Sequence, residues 1–254
     1  MSKIVLITGA TSGFGKAAAE KFARHGYDLI LNGRRADRLE ELCSTLEKRY
    51  NIACLELAFD VQDEKAVFAA INGLSDEWKK IDILFNNAGL ALGRDFFDEA
   101  DLQDWNTMVD TNVKGFMYVA KAVSQLMVKR KKGHIINMGS IAGKQVYEKG
   151  NAYCATKFAV DALSHAMRID LLRHNIKVTG IHPGAAETEF SLVRFKGDGG
   201  TAKKIYDGLK PLTAEDVADV IYYCATLPEH VCINDLSITC TQQADTIYFN
   251  RTIT

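Results

Sequence analysis

Proline is scarce: three residues in 254, at Pro183, Pro211 and Pro228. No Pro- or Ser-rich stretch divides the chain, which argues against domains strung on extended linkers. No apolar run approaches the ~20 residues that a membrane-spanning helix needs. Net charge is nearly absent too: 31 Lys+Arg stand against 32 Asp+Glu, a formal −1. No overall field therefore draws nucleic acid or an anionic membrane. The six cysteines (Cys43, Cys54, Cys154, Cys224, Cys232, Cys240) contain no Cys-x-x-Cys pair and read as reduced core residues. The six histidines lie far apart and make no metal-ligand spacing, so no metal is expected. Met1–Ile7 is too short for the apolar core of a secretory leader and runs straight into a glycine turn. A cytoplasmic setting is expected.

What is present is ordinary globular material, 47% hydrophobic and 25% charged, which excludes disorder. Short apolar runs alternate with amphipathic stretches. The runs predict strands at 4–8, 28–32, 52–59, 81–86, 134–138 and 177–181, with a weaker seventh at 236–240. The stretches predict helices at 15–25, 36–50, 63–79, 102–129, 152–174 and 214–226. Strand and helix alternating in this way imply right-handed βαβ crossovers. The expected fold is a single-domain, doubly wound Rossmann α/β fold over 1–254. Its sheet has seven strands, mostly parallel, with helices on both faces. The segment 185–210 has no clear periodicity and reads as a flexible substrate loop.

Thr8-Gly9-Ala10-Thr11-Ser12-Gly13-Phe14-Gly15 follows the first strand and opens a helix. Glycines there let main chain approach a bulky anion, and free N–H groups at a helix start face a pyrophosphate. The spacing is Gly-x-x-x-Gly-x-Gly rather than Gly-x-Gly-x-x-Gly, and an ordinary βα turn of small residues is the alternative. After the second strand an NAD site carries Asp or Glu for the ribose 2′-hydroxyl. This chain has Asn32-Gly33-Arg34-Arg35. A carboxylate would repel a 2′-phosphate, whereas Arg34 and Arg35 can bind one, so NADP is the expected cofactor.

Tyr153 and Lys157 stand four apart in a helical pattern and share a face. A nearby ammonium favours a phenolate, which makes the pair a candidate acid/base. Ser140 ends the fifth strand at the carboxyl edge of the sheet, where ligands of open α/β folds bind. Each feature alone has a structural alternative: a chance helical pair, or a serine capping a helix. Lys129, Arg130, Lys131 and Lys132 read as a solvated helix end rather than a nucleic-acid patch.

Thr8-Gly9-x-x-x-Gly13-x-Gly15, Asn86-Asn87-Ala88-Gly89, Asn112, Ser140, Tyr153-x-x-x-Lys157 and Pro183-Gly184 together resemble the short-chain dehydrogenase/reductases, from Lys3 to about Cys240. The resemblance implies Tyr153 as general acid/base, Ser140 holding the substrate oxygen, and Lys157 lowering the tyrosine pKa and bonding the nicotinamide ribose. It implies Asn112 as holder of a relay water. Gly9 to Gly15, Asp60, Val61, Asn87, Ala88 and Gly89 would line the cofactor. Pro183, Gly184 and Thr188 would contact its nicotinamide end. In this superfamily helices matching 102–129 and 152–174 pack subunit against subunit, which implies a dimer or, in preference, a homotetramer with two-fold axes.

A narrower likeness, at 86–93, 133–143 and 188–198, is to the NADP-dependent 3-hydroxy acid dehydrogenases, also called serine 3-dehydrogenases. It implies a small-molecule substrate such as L-serine or allo-threonine, or the matching semialdehyde. Arg194 is the candidate partner for the substrate carboxylate, and Tyr147 a further pocket residue. The chain departs from that group at Gln145-Val146, where Trp-Pro is common, at Glu148-Lys149, and at Ala185-Ala186-Glu187. The alternatives are a reductase of other small carbonyls and a non-catalytic NADP sensor.

Overall fold

A computed structural model describes residues 2–252. The apolar runs become seven strands: β1 (Ile4–Ile7), β2 (Asp28–Gly33), β3 (Cys54–Ala58), β4 (Ile81–Asn86), β5 (Gly133–Met138), β6 (Ile176–Pro183) and β7 (Asp235–Ile238). They form one sheet in the order β3-β2-β1-β4-β5-β6-β7. Every pairing is parallel, so the expected mostly parallel sheet is wholly so. Strand order reverses between β1 and β4, and the crevice at their carboxyl ends is where such sheets bind ligands.

The helices are α1 (Gly13–Arg24), α2 (Ala36–Tyr50), α3 (Glu64–Asn72), α4 (Leu102–Val109), α5 (Phe116–Arg130), α6 (Asn151–Leu171), α7 (Glu189–Arg194), α8 (Gly199–Lys204) and α9 (Ala214–Thr226). Alternation along β1 divides the core. Val5 and Ile7 face one side with Phe22, Leu39, Leu46 and Ile221, under α1, α2 and α9. Ile4 and Leu6 face the other with Ile71, Val119, Val123 and Met127, under α3 and α5. Phe22 and Phe85 are fully buried, each worth roughly 1.5–3 kcal/mol of transfer free energy. Ends are set locally. Asp63 caps α3 by accepting from Ala66 N, and Thr213 and Asp216 form a reciprocal capping box on α9.

Four expectations need correction. The helix expected at 63–79 stops at Asn72, because Gly73 ends it. The helix expected at 102–129 is two helices joined by a π turn at Asp110–Gly115. The segment 185–210 is not irregular throughout but holds α7 and α8, each capped by an acceptor side chain (Thr188 and Asp198). Cys43 and Cys54 are joined as a disulfide, with Cα atoms 5.4 Å apart. Asn51, left-handed at φ 54°, turns the chain from α2 back towards β3 and brings together two residues whose spacing carries no motif. Cys154, Cys224 and Cys240 are buried free thiols, and Cys232 is a half-buried one.

Candidate active site

The glycine turn after β1 is main chain folded against main chain. Gly9 and Gly13 take φ of +64° and +49°, where a side chain is strained. A Cβ at Gly15 would collide with the Gly9 carbonyl oxygen and approach Asn87 Nδ2. Thr8 Oγ1 accepts from both Asn87 N and Ala88 N at 2.9 Å, tying the turn to the segment after β4. Ser12 makes no side-chain cap on α1, so its hydroxyl does not occupy the first N–H groups of that helix. At the end of β2, Arg35 Nη2 donates to Thr11 Oγ1 at 2.9 Å and Arg34 lies 3.7 Å from Asp60 Oδ2. Asn32 donates to Leu57 O and Phe59 O, so it ties β2 to β3, and the charged groups of that rim are Arg34, Arg35 and Asp60.

Past β5, Gly139 N donates to Ile181 O at 2.7 Å and sets Ser140 at the mouth of the crevice. Ser140 Oγ accepts from Ala142 N at 3.1 Å, and Ser140 lines the same cleft as the Tyr153 phenol. Helical spacing places Tyr153 and Lys157 on one face of α6, both buried. Lys157 Nζ donates to Met138 O at 2.9 Å and lies 6.0 Å from the centre of the Tyr153 ring. Burial drives the lysine down to about 8. Burial, with Tyr147 nearby, holds the Tyr153 phenol well above its ordinary value; the neighbouring Ser140 hydroxyl and Arg194 pull the other way. The cation nearer the ring is not the lysine: the Arg194 guanidinium carbon stands 5.4 Å from its centre.

Arg194, at the end of α7, is 9% exposed. Its Nε donates to Gly93 O at 3.2 Å and its Nη1 to the Tyr147 hydroxyl at 2.8 Å. It therefore sits fixed in the pocket wall rather than out on a loop. Phe190 packs 5.7 Å from Tyr153, ring centre to ring centre.

One cleft of about 500 Å³ gathers these groups. It is lined by Gly9, Thr11, Ser12, Gly13, Phe14, Arg34, Arg35, Asp60, Val61, Asn87, Ala88 and Gly89. Ser140, Tyr147, Tyr153, Lys157, Pro183, Gly184, Thr188 and Arg194 line it further along. Three expected site residues lie behind the wall. Ala10 is fully buried, and Gly15 serves the close packing of the turn. Asn112, inside the π turn, accepts from Leu90 N at 2.8 Å and spends its amide hydrogens on Leu90 O and Thr156 Oγ1. Its side chain clamps the Leu90 peptide under the cleft. Sequence reasoning missed Arg94, Phe190, Thr246, Phe249 and Arg251, which also line the cleft. No local pattern marks them.

The fold does bring potential metal ligands together: Asp161, His165 and Asp235 have ligand atoms within 4.8 Å of one another. Lys144 Nζ already lies 2.6 Å from Asp161 Oδ1 and Arg168 Nη1 3.3 Å from Asp235 Oδ2, so cations of the chain balance the carboxylates. Among the described residues no helix is long and apolar enough to cross a membrane.

The sequence profile of the short chain dehydrogenase family matches residues 3–197. Sulfoacetaldehyde reductase 2 of Chromohalobacter salexigens is 46% identical over 245 residues, 96% of each chain. An NADP-dependent 3-hydroxy acid dehydrogenase of Escherichia coli K12 is 47% identical over 236 residues, 92% of this chain and 94% of that one. Among solved structures, the closed form of a serine dehydrogenase complexed with NADP+ superposes with a TM-score of 0.91 at 44% identity, covering 99% of this chain and 100% of the other. With the profile covering most of its length, a matching parallel sheet and relatives near half identity, the chain belongs to the short chain dehydrogenase family.

Proposed function

We propose that this protein is an NADP-dependent oxidoreductase that interconverts a small 3-hydroxy acid and the matching oxo acid. The observation that carries the reading is the meeting, in one cleft, of Ser140, Tyr153, buried Lys157 and a fixed guanidinium at Arg194. The relatives' names point the same way: serine dehydrogenase and 3-hydroxy acid dehydrogenase.

The residues fit a dinucleotide. Gly9 and Gly13, which line the cleft, hold angles suited to glycine, and Gly15 behind them lets the turn fold tightly on itself. Arg34 and Arg35 supply two guanidiniums for a 2′-phosphate, Arg34 beside Asp60 at 3.7 Å and Arg35 donating to Thr11, and β2 itself ends without a carboxylate. NADP would lie with its pyrophosphate on the start of α1 and its nicotinamide end near Pro183, Gly184 and Thr188. When bound, it supplies the hydride chemistry. Tyr153 exchanges a proton with the substrate oxygen, and Ser140 holds that oxygen. Lys157 presents its ammonium beside the ribose position and, with a pKa brought down to about 8, can pass a proton near neutrality. Asn112 fixes the floor through Leu90. Arg194 pairs with the substrate's carboxylate through Nη2, which makes no hydrogen bond among the described residues.

A second reading follows from the sulfoacetaldehyde reductase relative. A sulfonate offers the same guanidinium comparable anionic oxygens. The test is steady-state turnover with NADP(H) on L- and D-3-hydroxy acids, sulfoacetaldehyde, and neutral alcohols and ketones of similar size. Faster turnover of the neutral compounds would overturn the acid assignment. No turnover of any, with NADP still bound, would favour the sensor. Assembly as a homotetramer is supported by apolar side chains left in solvent on α4 and α6, including Leu102, Phe158 and Ile169. Sedimentation equilibrium checks it. A cytoplasmic setting is supported by the free thiols and opposed by the Cys43–Cys54 pair. Fractionation decides between them.

A further inference from the structure

Gln145 lies five residues past Ser140, and nothing in the hydride chemistry proposed above uses it. Its Oε1 accepts from Thr246 N at 3.2 Å and from Thr246 Oγ1 at 2.8 Å, across 101 positions of sequence. Its Nε2 reaches Asp245 Oδ2 at 3.5 Å. The segment it grips, 241–252, follows β7 and is itself held at two more points. Gln243, 6% exposed, accepts from Ala185 N at 2.7 Å and packs against Gly184, behind the Pro183-Gly184 turn. Gln242 accepts from Lys210 N at 2.8 Å and donates to Gly208 O at 3.0 Å, at the far end of the segment that carries α7 and α8. Asp245 Oδ1 accepts from Ile247 N and Tyr248 N, both at 2.7 Å, which folds the segment back on itself.

Three anchors hold this segment where Thr246, Phe249 and Arg251 line the cleft shared by Tyr153 and Arg194. We propose that segment 241–252 is a built wall of the substrate pocket, with Gln145 as its positioning residue, and that this wall decides which substrates fit beyond the reacting carbon. The face it presents is an aromatic ring with a guanidinium 5.0 Å from its centre, Phe249 with Arg251. A short unbranched anion fits such a wall, while a branched or longer chain meets the ring. The choice of acids rests on the function proposed above; the wall itself does not.

The test uses the full-length protein and three variants: Gln145→Ala, Thr246→Val, and a chain ending after Gln243, which keeps the bond to Ala185. Each is assayed with L-serine and with a branched or longer 3-hydroxy acid, and NADP+ affinity is measured by fluorescence titration. Gln145→Ala and the shortened chain should raise KM for L-serine at least tenfold with kcat within threefold. They should lower the preference for the short over the bulkier acid at least tenfold and move NADP+ affinity less than twofold. Thr246→Val, which keeps its N–H bond to Gln145, should shift KM in the same direction but less. Preference and KM within twofold of the parent in all three variants would overturn the proposal. So would joint loss of NADP+ binding and turnover in all three, since the segment would then serve the fold. If the parent oxidises neutral alcohols but no acid, the acid assignment fails, and the same comparison is made with a small and a bulky alcohol.

Discussion

From Gly9 to Ala88 the cleft is walled by main chain: a glycine turn, the start of α1 and the segment after β4, laced together through Thr8. From Ser140 to Arg194 it is walled by side chains from β5, α6, α7 and segment 241–252, each held by partners far off in sequence. The first region offers N–H groups and a positive rim to an anion. The second places an ammonium 6.0 Å and a guanidinium carbon 5.4 Å from the centre of a phenol ring. Backbone walls tolerate most side-chain changes and serve binding. Side-chain walls can be undone one residue at a time, and they serve chemistry and choice of substrate.

The sharpest way to separate the two regions is Tyr153→Phe, expected to lower kcat by about 10³-fold while NADP+ affinity, by fluorescence titration, stays within threefold. A large loss of affinity would mean that the two regions are not separable. Arg194→Gln should lower kcat/KM for acids by roughly 10- to 100-fold, the weight of a charge-assisted pair, and leave neutral alcohols nearly unchanged. Equal losses on both would assign Arg194 to the frame of Tyr147 and Gly93 instead. On the other side, Arg34→Ala with Arg35→Ala should weaken NADP+ by about tenfold and spare NAD+. Equal weakening of both cofactors counts against a 2′-phosphate site.

The smallest effect is on stability against pH in the protein without cofactor. Lys157 sheds its proton near 8 when folded, against 10.5 for an unperturbed lysine, so between those values the unfolded chain holds more protons. Its contribution therefore raises stability as pH climbs from about 8 to 10. Tyr153 opposes this only above its ordinary value of 10.0, where the unfolded phenol ionises first. Urea unfolding should show the parent gaining stability relative to Lys157→Met between pH 8 and 10, the buried Cys224 thiol, pushed up to about 11, opposing equally in both from about 9. A parent curve that falls over this interval, with the variant unchanged, would contradict the buried ammonium.

Much of the cofactor region was legible because its signals are local. The glycine turn, the absence of a carboxylate after β2 and the alternation of strands and helices each lie within a few residues. The breaks in that reading each have their own cause. The apolar pattern over 102–129 runs unbroken through Asn112, whose bonds to Leu90, 22 positions away, accompany the π turn. Cys43 and Cys54 meet because Asn51 reverses the chain between them. The stretch at 185–210 gives no strong period because α7 and α8 are only six residues each.

The sequence by itself determined the parallel sheet, the phosphate-suited turn and the shared face of Tyr153 and Lys157, because helix and strand periods fix which side chains point together over one or two turns. Only the tertiary structure decided that Arg194 rests on Tyr147, 47 positions away, and that Gln145 holds Thr246, 101 positions away. Contacts at that separation form when packed layers set the loops side by side, and no local spacing encodes them.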